Sequence, residues 1–294
     1  MTQPNMPPPA PESASLLITR NAPRARNRWL PLLVIVGALL LIGFYVTSDA
    51  TALAHDHALG ALDFLGGAVC HRLTGHSIII AGRQMPLCAR CSGIYLGVLL
   101  TFLVTLLAGR ERDAALPRLP VLLALLGLVG VMGVDGLNSY SHFLPRAPHL
   151  YQPQNWLRLA TGLGAGLAMG SIVSPALAQT LWQSPRWQPP LRSLRELGGL
   201  ALLAGVVGLL ALSNQPTLLY VLALASGAGL LAVLSAINSM LLLMGLRREG
   251  RYVSWRQALP ALTFGLALAL LELMAGAWLR LSLFGTLTGL PGLS

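Results

Sequence analysis

Long apolar segments alternate with polar, arginine-containing segments along this chain. The apolar segments cover residues 30–46, 94–108, 120–137, 156–177, 197–212, 218–246 and 259–279. About 20 helical residues, at a rise of about 1.5 Å each, cross a hydrocarbon core of about 30 Å. The pattern therefore predicts an all-α, polytopic integral membrane protein with about seven transmembrane helices.

Composition supports this prediction and changes how the net positive charge of the chain is interpreted. Of the 294 residues, 54% are hydrophobic and 10% are charged, whereas a soluble domain carries about a quarter charged residues. The net charge of +10 comes from arginine, because the chain has no lysine. In a soluble protein this balance would suggest a nucleic-acid partner. In a membrane protein, arginines first have to be considered as topology signals.

The arginines predict the orientation of the helices. Most of them lie in residues 1–28, 110–118, 186–195 and 247–256, and basic loops stay in the cytoplasm during insertion. We therefore expect a multi-pass protein of the cytoplasmic (inner) membrane with its N-terminus inside and its C-terminus outside. All histidines and cysteines then fall on the external side. Because insertion explains the charge, the expected partner is the lipid bilayer and not nucleic acid.

Three regions are expected along the chain. Residues 1–28 are rich in proline and arginine and are predicted to be a disordered cytoplasmic tail. Residues 29–178 form a core membrane module with an external loop at 48–91. Residues 179–294 add three membrane helices, whose role and whose effect on oligomeric state the sequence leaves open.

The three cysteines of the chain lie close together in sequence, before the second apolar segment. They are Cys70, followed by His71, and the pair Cys88 and Cys91 in a C-x-x-C motif. Thiolates and imidazoles bind borderline metals tetrahedrally, so these four residues predict a Cys3His site, with zinc as the default ion. His76 is an alternative to His71.

The same cysteines are compatible with two other interpretations. Cys88 and Cys91 at a helix N-terminus, where the dipole favours a thiolate, are typical of a membrane thiol-disulfide oxidoreductase. A single structural disulfide in an oxidising compartment is the third possibility. Whether the protein is an enzyme stays open.

Polar residues within the apolar segments predict a second site. Asp135 and Asn138 share one helical face, and Asn155, Arg158 and Thr161 share another. Charges at this depth are costly unless paired, so we expect an Asp135–Arg158 ion pair facing the interior. Glu272 is predicted to be a second buried acid, with Asn238 a weaker case. Together they could line a pathway for a metal or small polar solute, which makes a transporter a further alternative.

Glycines recur at two periods in neighbouring apolar segments. They occupy every third position from Gly127 to Gly136 and every fourth position from Gly162 to Gly170. Small residues let membrane helices approach closely, so both stripes predict helix contacts.

Several of these residues form a recognisable signature. Cys70-His71-Arg72, the run Pro86-Leu87-Cys88-Ala89-Arg90-Cys91-Ser92-Gly93-Ile94-Tyr95-Leu96-Gly97, Asp135-Gly136, and Asn155-Trp156-Leu157-Arg158 with Thr161-Gly162 resemble the bacterial and archaeal membrane family known as domain of unknown function 2085. The resemblance covers roughly residues 65–170. It implies that Cys70, His71, Cys88, Cys91, Asp135 and Arg158 form the polar core of one module, and it implies no activity.

Overall fold

The computed structural model describes residues 29–142 and 149–289, and most of these residues are helical. The predicted tail at 1–28 lies outside the described residues. The helices are α1 (Trp29–Ser48), α2 (Ala50–Ala54), α3 (His57–Val69), α4 (Ala89–Leu107), α5 (Leu119–Ser141), α6 (Asn155–Leu181), α7 (Leu194–Leu212), α8 (Pro216–Gly245) and α9 (Trp255–Phe284).

Seven of these helices are long and apolar enough to cross a membrane, namely α1 and α4 to α9. They coincide with the seven predicted segments, so the all-α polytopic fold is confirmed. The largest difference at a helix start is in α4, which begins at Ala89 and not near Ile94. Arg90, Cys91 and Ser92 interrupt the apolar pattern there, although they are helical. Cys91 therefore lies inside the first turn of α4.

The segment at 48–91, predicted as an external loop, is largely folded, and its external position stays a prediction. It contains α2, α3, a 3-10 turn at Thr74–His76, and the antiparallel hairpin of β1 (Ser77–Ile80) and β2 (Arg83–Cys88). Asp56 begins α3 by accepting a hydrogen bond from the Leu59 amide at 2.7 Å. Ala81 and Gly82 connect the strands with φ of 45° and 91°, as a two-residue type I′ turn requires. Scattered polar residues conceal these short elements in the hydrophobicity pattern.

Helices α4 and α6 form the centre of the bundle, in backbone contact. A Cβ added to Gly166 would lie 2.1 Å from the carbonyl oxygen of Ile94, and one on Gly162 would lie 2.3 Å from that of Arg90. In the opposite direction, a Cβ on Gly97 would lie 2.5 Å from the Leu163 carbonyl oxygen. Two small-x-x-x-small faces thus interlock, which confirms the prediction for the glycines of α6.

The prediction of close packing is wrong for the glycines of α5. A Cβ on Gly127, Gly130, Gly133 or Gly136 would meet nothing within 4 Å among the described residues. Helix α5 instead packs on its neighbours through Val121 and Leu125. On a helix with 3.6 residues per turn, residues three apart are rotated by about 60° from one to the next. The glycines of α5 therefore spread around the helix, whereas those of α6, four residues apart, stay closer to one face.

The C-terminal helices pack directly on the earlier ones. A Cβ on Gly229 of α8 would lie 2.1 Å from the Tyr95 carbonyl oxygen of α4, and Gly227 of α8 lies against the side chain of Leu62 in α3. Helix α9 packs on α8 and α3. Helices α8 and α9 are therefore built into the same bundle as α3 and α4, and α7 packs on α6.

Glu272 of α9 is exposed, so the prediction that it is buried is wrong. Its Oε2 atom accepts a hydrogen bond from Asn238 of α8 at 2.9 Å, and Asn238 is buried. Hydrophobicity alone does not reveal which face of an apolar helix points inward, and here the acid lies at the edge of the inward face.

The arginine-rich segments meet at one end of the bundle. The Ala114 amide donates to the Arg186 carbonyl at 2.8 Å, and the Gln183 amide donates to the Tyr252 carbonyl at 3.0 Å. Because the long helices alternate in direction, the cysteines at the start of α4 lie at the opposite end. Which end faces the cytoplasm stays a prediction.

Candidate metal centre

Three short elements bring the cysteines together. Cys70 ends α3, Cys88 is the last residue of β2 and the N-cap of α4, and Cys91 lies in the first turn of α4. Their sulfur atoms all lie within 4.8 Å of one another. Zn–S bonds of about 2.3 Å in a tetrahedron place sulfurs about 3.8 Å apart, so the donor set fits a thiophilic ion with little movement.

A salt-bridge network fixes the hairpin that carries Cys88. Asp63 of α3 accepts hydrogen bonds from Arg72 at 2.5 Å and from Arg83 of β2 at 2.8 Å. Arg72 also adopts a left-handed backbone with φ of 50°, which turns the chain after Cys70. Arg83 thus joins α3 to the hairpin, and Arg72, the arginine of the Cys-His-Arg motif, joins α3 to the turn after Cys70.

The surroundings of Cys70 favour its thiolate form. Its side chain is buried, and its Sγ atom accepts a hydrogen bond from the Cys88 amide at 3.3 Å. Hydrogen bonds from the side chains of Cys88 and Cys91 lower the pKa of Cys70 well below its ordinary value. Thiolates are both the metal-binding and the nucleophilic form of cysteine.

The two histidines lie beside the cysteines, outside the group of close sulfurs. His71 Nδ1 accepts a hydrogen bond from the Leu73 amide at 3.1 Å, so in the neutral ring Nε2 carries the proton and is not a ligand. The rings of His71 and His76 are in edge contact, with centroids 5.3 Å apart. Three of the four predicted ligands are therefore brought together, and the imidazole is not.

Both histidines are held neutral. Burial lowers the pKa of His76 to about 4, and the positive charge of Arg158 adds to the effect. Burial also lowers the pKa of His71, with smaller contributions from Arg90 and Arg158. These arginines therefore act electrostatically on the same pocket.

Asp135 is paired with Arg90, so the predicted Asp135–Arg158 ion pair is wrong in its partner. Arg90 reaches the carboxylate from the first turn of α4 through Nε, at 3.2 Å, and through Nη2. Tyr151 and Thr161 donate to the two carboxylate oxygens at 2.9 and 3.3 Å. The α4–α6 contact brings Arg90 next to α5, a tertiary effect that helical periodicity within one segment does not reveal.

Arg158 is buried without a carboxylate partner among the described residues. It is 4% exposed, its Nη1 donates to Asn155 Oδ1 at 2.9 Å, and its Nε has no hydrogen-bond partner. Asn155 in turn donates to the carbonyl oxygens of Gly75 and Ser77, which flank His76. The start of α6 is thereby attached to the turn that precedes the hairpin.

Asn138, also predicted as an interior polar residue, is buried and organises the segment before α6. Its Oδ1 accepts from the Leu150 amide at 2.8 Å, and its Nδ2 donates to the Tyr151 carbonyl at 2.9 Å. This holds Tyr151 where its hydroxyl reaches Asp135.

Arg280 of α9 binds the backbone around Cys70. Its Nη1 donates to the carbonyl oxygens of Gly67, at 2.9 Å, and Cys70, and its Nη2 donates to those of His71 and Gly289. These carbonyls include the unpaired C-terminal carbonyls of α3, which a cation stabilises. One side chain from the end of the chain therefore holds the first cysteine in place.

We expect Arg280→Ala to release Cys70. Losing even one of these charge-assisted hydrogen bonds costs about 1.5 kcal/mol, so modification of Cys70 by a water-soluble maleimide should accelerate at least about tenfold. Peptide mass spectrometry measures this at each cysteine. Arg195→Ala, at an exposed arginine on the other end, is the control, and equal Cys70 rates in both variants would contradict the role of Arg280.

Sequence reasoning missed the structural roles of four residues that build the site. Asp63, Arg90, Tyr151 and Arg280 carry the networks just described. Arg90 lies four residues before the second apolar segment and Arg280 directly after the seventh, and charges this close to membrane segments are a signal that could have marked them. Asp63 and Tyr151 have no such signal, because their partners come from other parts of the chain.

No curated protein and no solved structure matches the chain. The segment that contains the cysteines, Asp135 and Arg158 does match a family model, which confirms the resemblance inferred from its motifs. Residues 70–172 of this membrane protein carry the region described as Predicted membrane protein (DUF2085).

Proposed function

We propose that this membrane protein binds a thiophilic divalent metal ion, zinc by default, through Cys70, Cys88 and Cys91. The mutual approach of the three sulfurs within 4.8 Å is the observation that carries the proposal. A fourth position remains for a neutral donor such as water. The arginine-rich loops lie at the other end of the bundle, which under the positive-inside rule supports an extracytoplasmic position for the site.

Three contributions from the chain suit such a site. The cysteines come from two rigid junctions, the end of α3 and the start of α4, so the donor geometry is formed before metal arrives. The Cys88 amide hydrogen-bonds Cys70 Sγ, as second-shell donors do in thiolate centres. The neutral histidines add no repulsion toward a cation.

Metal content of the purified protein tests the proposal. We expect about one zinc per chain after dialysis, falling below about one tenth in Cys70→Ser, Cys88→Ser and Cys91→Ser, because two thiolates hold zinc far more weakly than three. His57→Ala, at an exposed histidine on the same end, should keep its metal. Wild-type protein without bound metal, and without uptake of added Zn²⁺ after reduction, would contradict the proposal.

A thiol oxidoreductase is the second candidate, favoured by the lowered pKa of Cys70. Two of the thiols would form one disulfide and pass two electrons and two protons to a quinone or to a partner disulfide. Thiol trapping in cells distinguishes the two functions. Cycling of a cysteine pair between reduced and disulfide-bonded forms supports the oxidoreductase, whereas three constantly reduced, metal-protected thiols support metal binding.

A further inference from the structure

A cavity lies at the arginine-rich end of the bundle, opposite the end that carries the cysteines. Its volume is about 240 Å³, and it is enclosed by the last turns of α4, the second half of α6, the first turns of α7 and the segment before α7. Because Thr101 and Ala108 of α4 both line it, the cavity extends about 10 Å along that helix. It therefore reaches from the arginine-rich end into the membrane-spanning part of the bundle.

Polar groups of α6 border this cavity without partners in the part of the chain that the structure describes. Ser171 and Ser174 line the cavity, and their Oγ atoms are buried without a hydrogen bond. Ser171 is 1% exposed. Pro175 lies inside α6, and because proline has no amide hydrogen, the Ser171 carbonyl lacks its regular helical hydrogen bond. Unpaired polar groups are costly in the interior of a membrane protein, so these two hydroxyls and the carbonyl need a partner.

The rest of the cavity wall is mostly apolar, and its charged side chains are already paired. Val104, Leu191 and Leu200 contribute apolar surface. Arg110 and Glu196 also line the cavity, and they bind each other through two hydrogen bonds of 2.9 Å. An ion in the cavity would therefore find no unpaired countercharge on its wall, which favours a neutral occupant.

We propose that this cavity binds a small neutral molecule with an apolar body and one group that both donates and accepts hydrogen bonds, such as a primary amide or a hydroxyl. The donor of that group pairs with the Ser171 carbonyl, and its acceptor takes the hydroxyl hydrogens of Ser171 and Ser174. A cavity of about 150 Å³ holds benzene, so in proportion this one holds a molecule of about ten non-hydrogen atoms. The inference is independent of the proposed metal-binding function.

Fluorinated probes of this size test the proposal by ¹⁹F NMR on detergent-purified full-length protein. We expect saturable binding of 4-fluorobenzamide, whose amide both donates and accepts. In 4-fluoroacetophenone a methyl group replaces the NH₂ group at nearly the same size, and the loss of one hydrogen bond should weaken binding about fivefold. The carboxylate of 4-fluorobenzoate should weaken binding at least about tenfold, because a buried charge without a countercharge is unfavourable.

Ser171→Ala and Ser174→Ala test the two hydroxyls. Each substitution should weaken binding of 4-fluorobenzamide about fivefold, as expected for one hydrogen bond. The unfolding temperature of the empty protein should stay the same or rise, because a buried hydroxyl without a partner does not stabilise the fold. Ser282→Ala, at an exposed serine near the cysteine end of α9, should bind the probe as the wild type does.

Several results would overturn the proposal. Wild-type protein without saturable binding of 4-fluorobenzamide would indicate a cavity that only water fills. Equal binding of this probe to the wild type and to both alanine variants would place it elsewhere on the protein. Binding of the ketone or the carboxylate as tightly as the amide would contradict the predicted ligand chemistry. A lower unfolding temperature of an empty alanine variant would show that its hydroxyl serves the fold and not a ligand.

Discussion

Gly166→Leu should prevent the bundle from assembling. Even a Cβ at this position would lie 2.1 Å from the Ile94 carbonyl oxygen, and the rest of a leucine side chain would force α4 and α6 apart. Overpacking in a well-packed core costs about 1–3 kcal/mol. Because the neighbour here is backbone, no flexible side chain can move aside, and we expect the free energy of unfolding to fall by at least about 3 kcal/mol. Size-exclusion chromatography and thermal unfolding in detergent measure the loss of folded protein.

The control for this substitution is Gly130→Leu in the adjacent helix α5. A Cβ there meets nothing within 4 Å of the described chain, and leucine has a higher helix propensity than glycine. Its unfolding temperature should equal or exceed that of the wild type. Similar folding of the two leucine variants would show that the α4–α6 contact is not as close as the structure indicates.

Asp135→Asn should be the most destabilising removal of a single charge. It leaves Arg90, whose side chain is 18% exposed, without its carboxylate partner. Breaking a buried ion pair by removing one partner costs about 3–5 kcal/mol, and the partial exposure of Arg90 favours the lower end of that range. The matched control is Asp49→Asn, at the exposed N-cap of α2, where asparagine caps as well as aspartate.

A double-mutant cycle identifies the partner of Asp135. We expect Arg90→Gln to cost much less in the Asp135→Asn background than in the wild type, because the ion pair is already broken. Arg158→Gln should show a smaller coupling to Asp135, since the two side chains do not form an ion pair. A larger coupling to Arg158 than to Arg90 would restore the partner inferred from the sequence.

The long helices could be predicted from the sequence because each one is a local pattern. An apolar run of sufficient length specifies a membrane helix regardless of its neighbours. The grouping of Cys70 with Cys88 and Cys91 was also predictable, since thiols are rare in this chain and concentrated in one stretch.

Pairings across the bundle could not be predicted in the same way. The partner of Asp135 depends on how α4 crosses α6, and periodicity in one segment fixes only which residues share a face. The exposure of Glu272 and the lack of close contacts at the α5 glycines could not be predicted for the same reason. The hairpin escaped prediction because its strands are short and its turn, Ala81-Gly82, lacks the Asn-Gly or Asp-Gly pair typical of type I′ turns.

Because Arg280 donates to four carbonyl oxygens around Cys70, the segment at 70–172 depends on a helix that lies outside it. The guanidinium that stabilises the backbone on both sides of Cys70 comes from α9, more than a hundred residues beyond the end of that segment. A shorter protein with the same cysteine motif, but without a counterpart of α9, must provide another donor at this point. Suitable donors would be a basic side chain in an added loop, a lipid headgroup amine or a neighbouring subunit, and a search for such a group would show how the thiol geometry is maintained there.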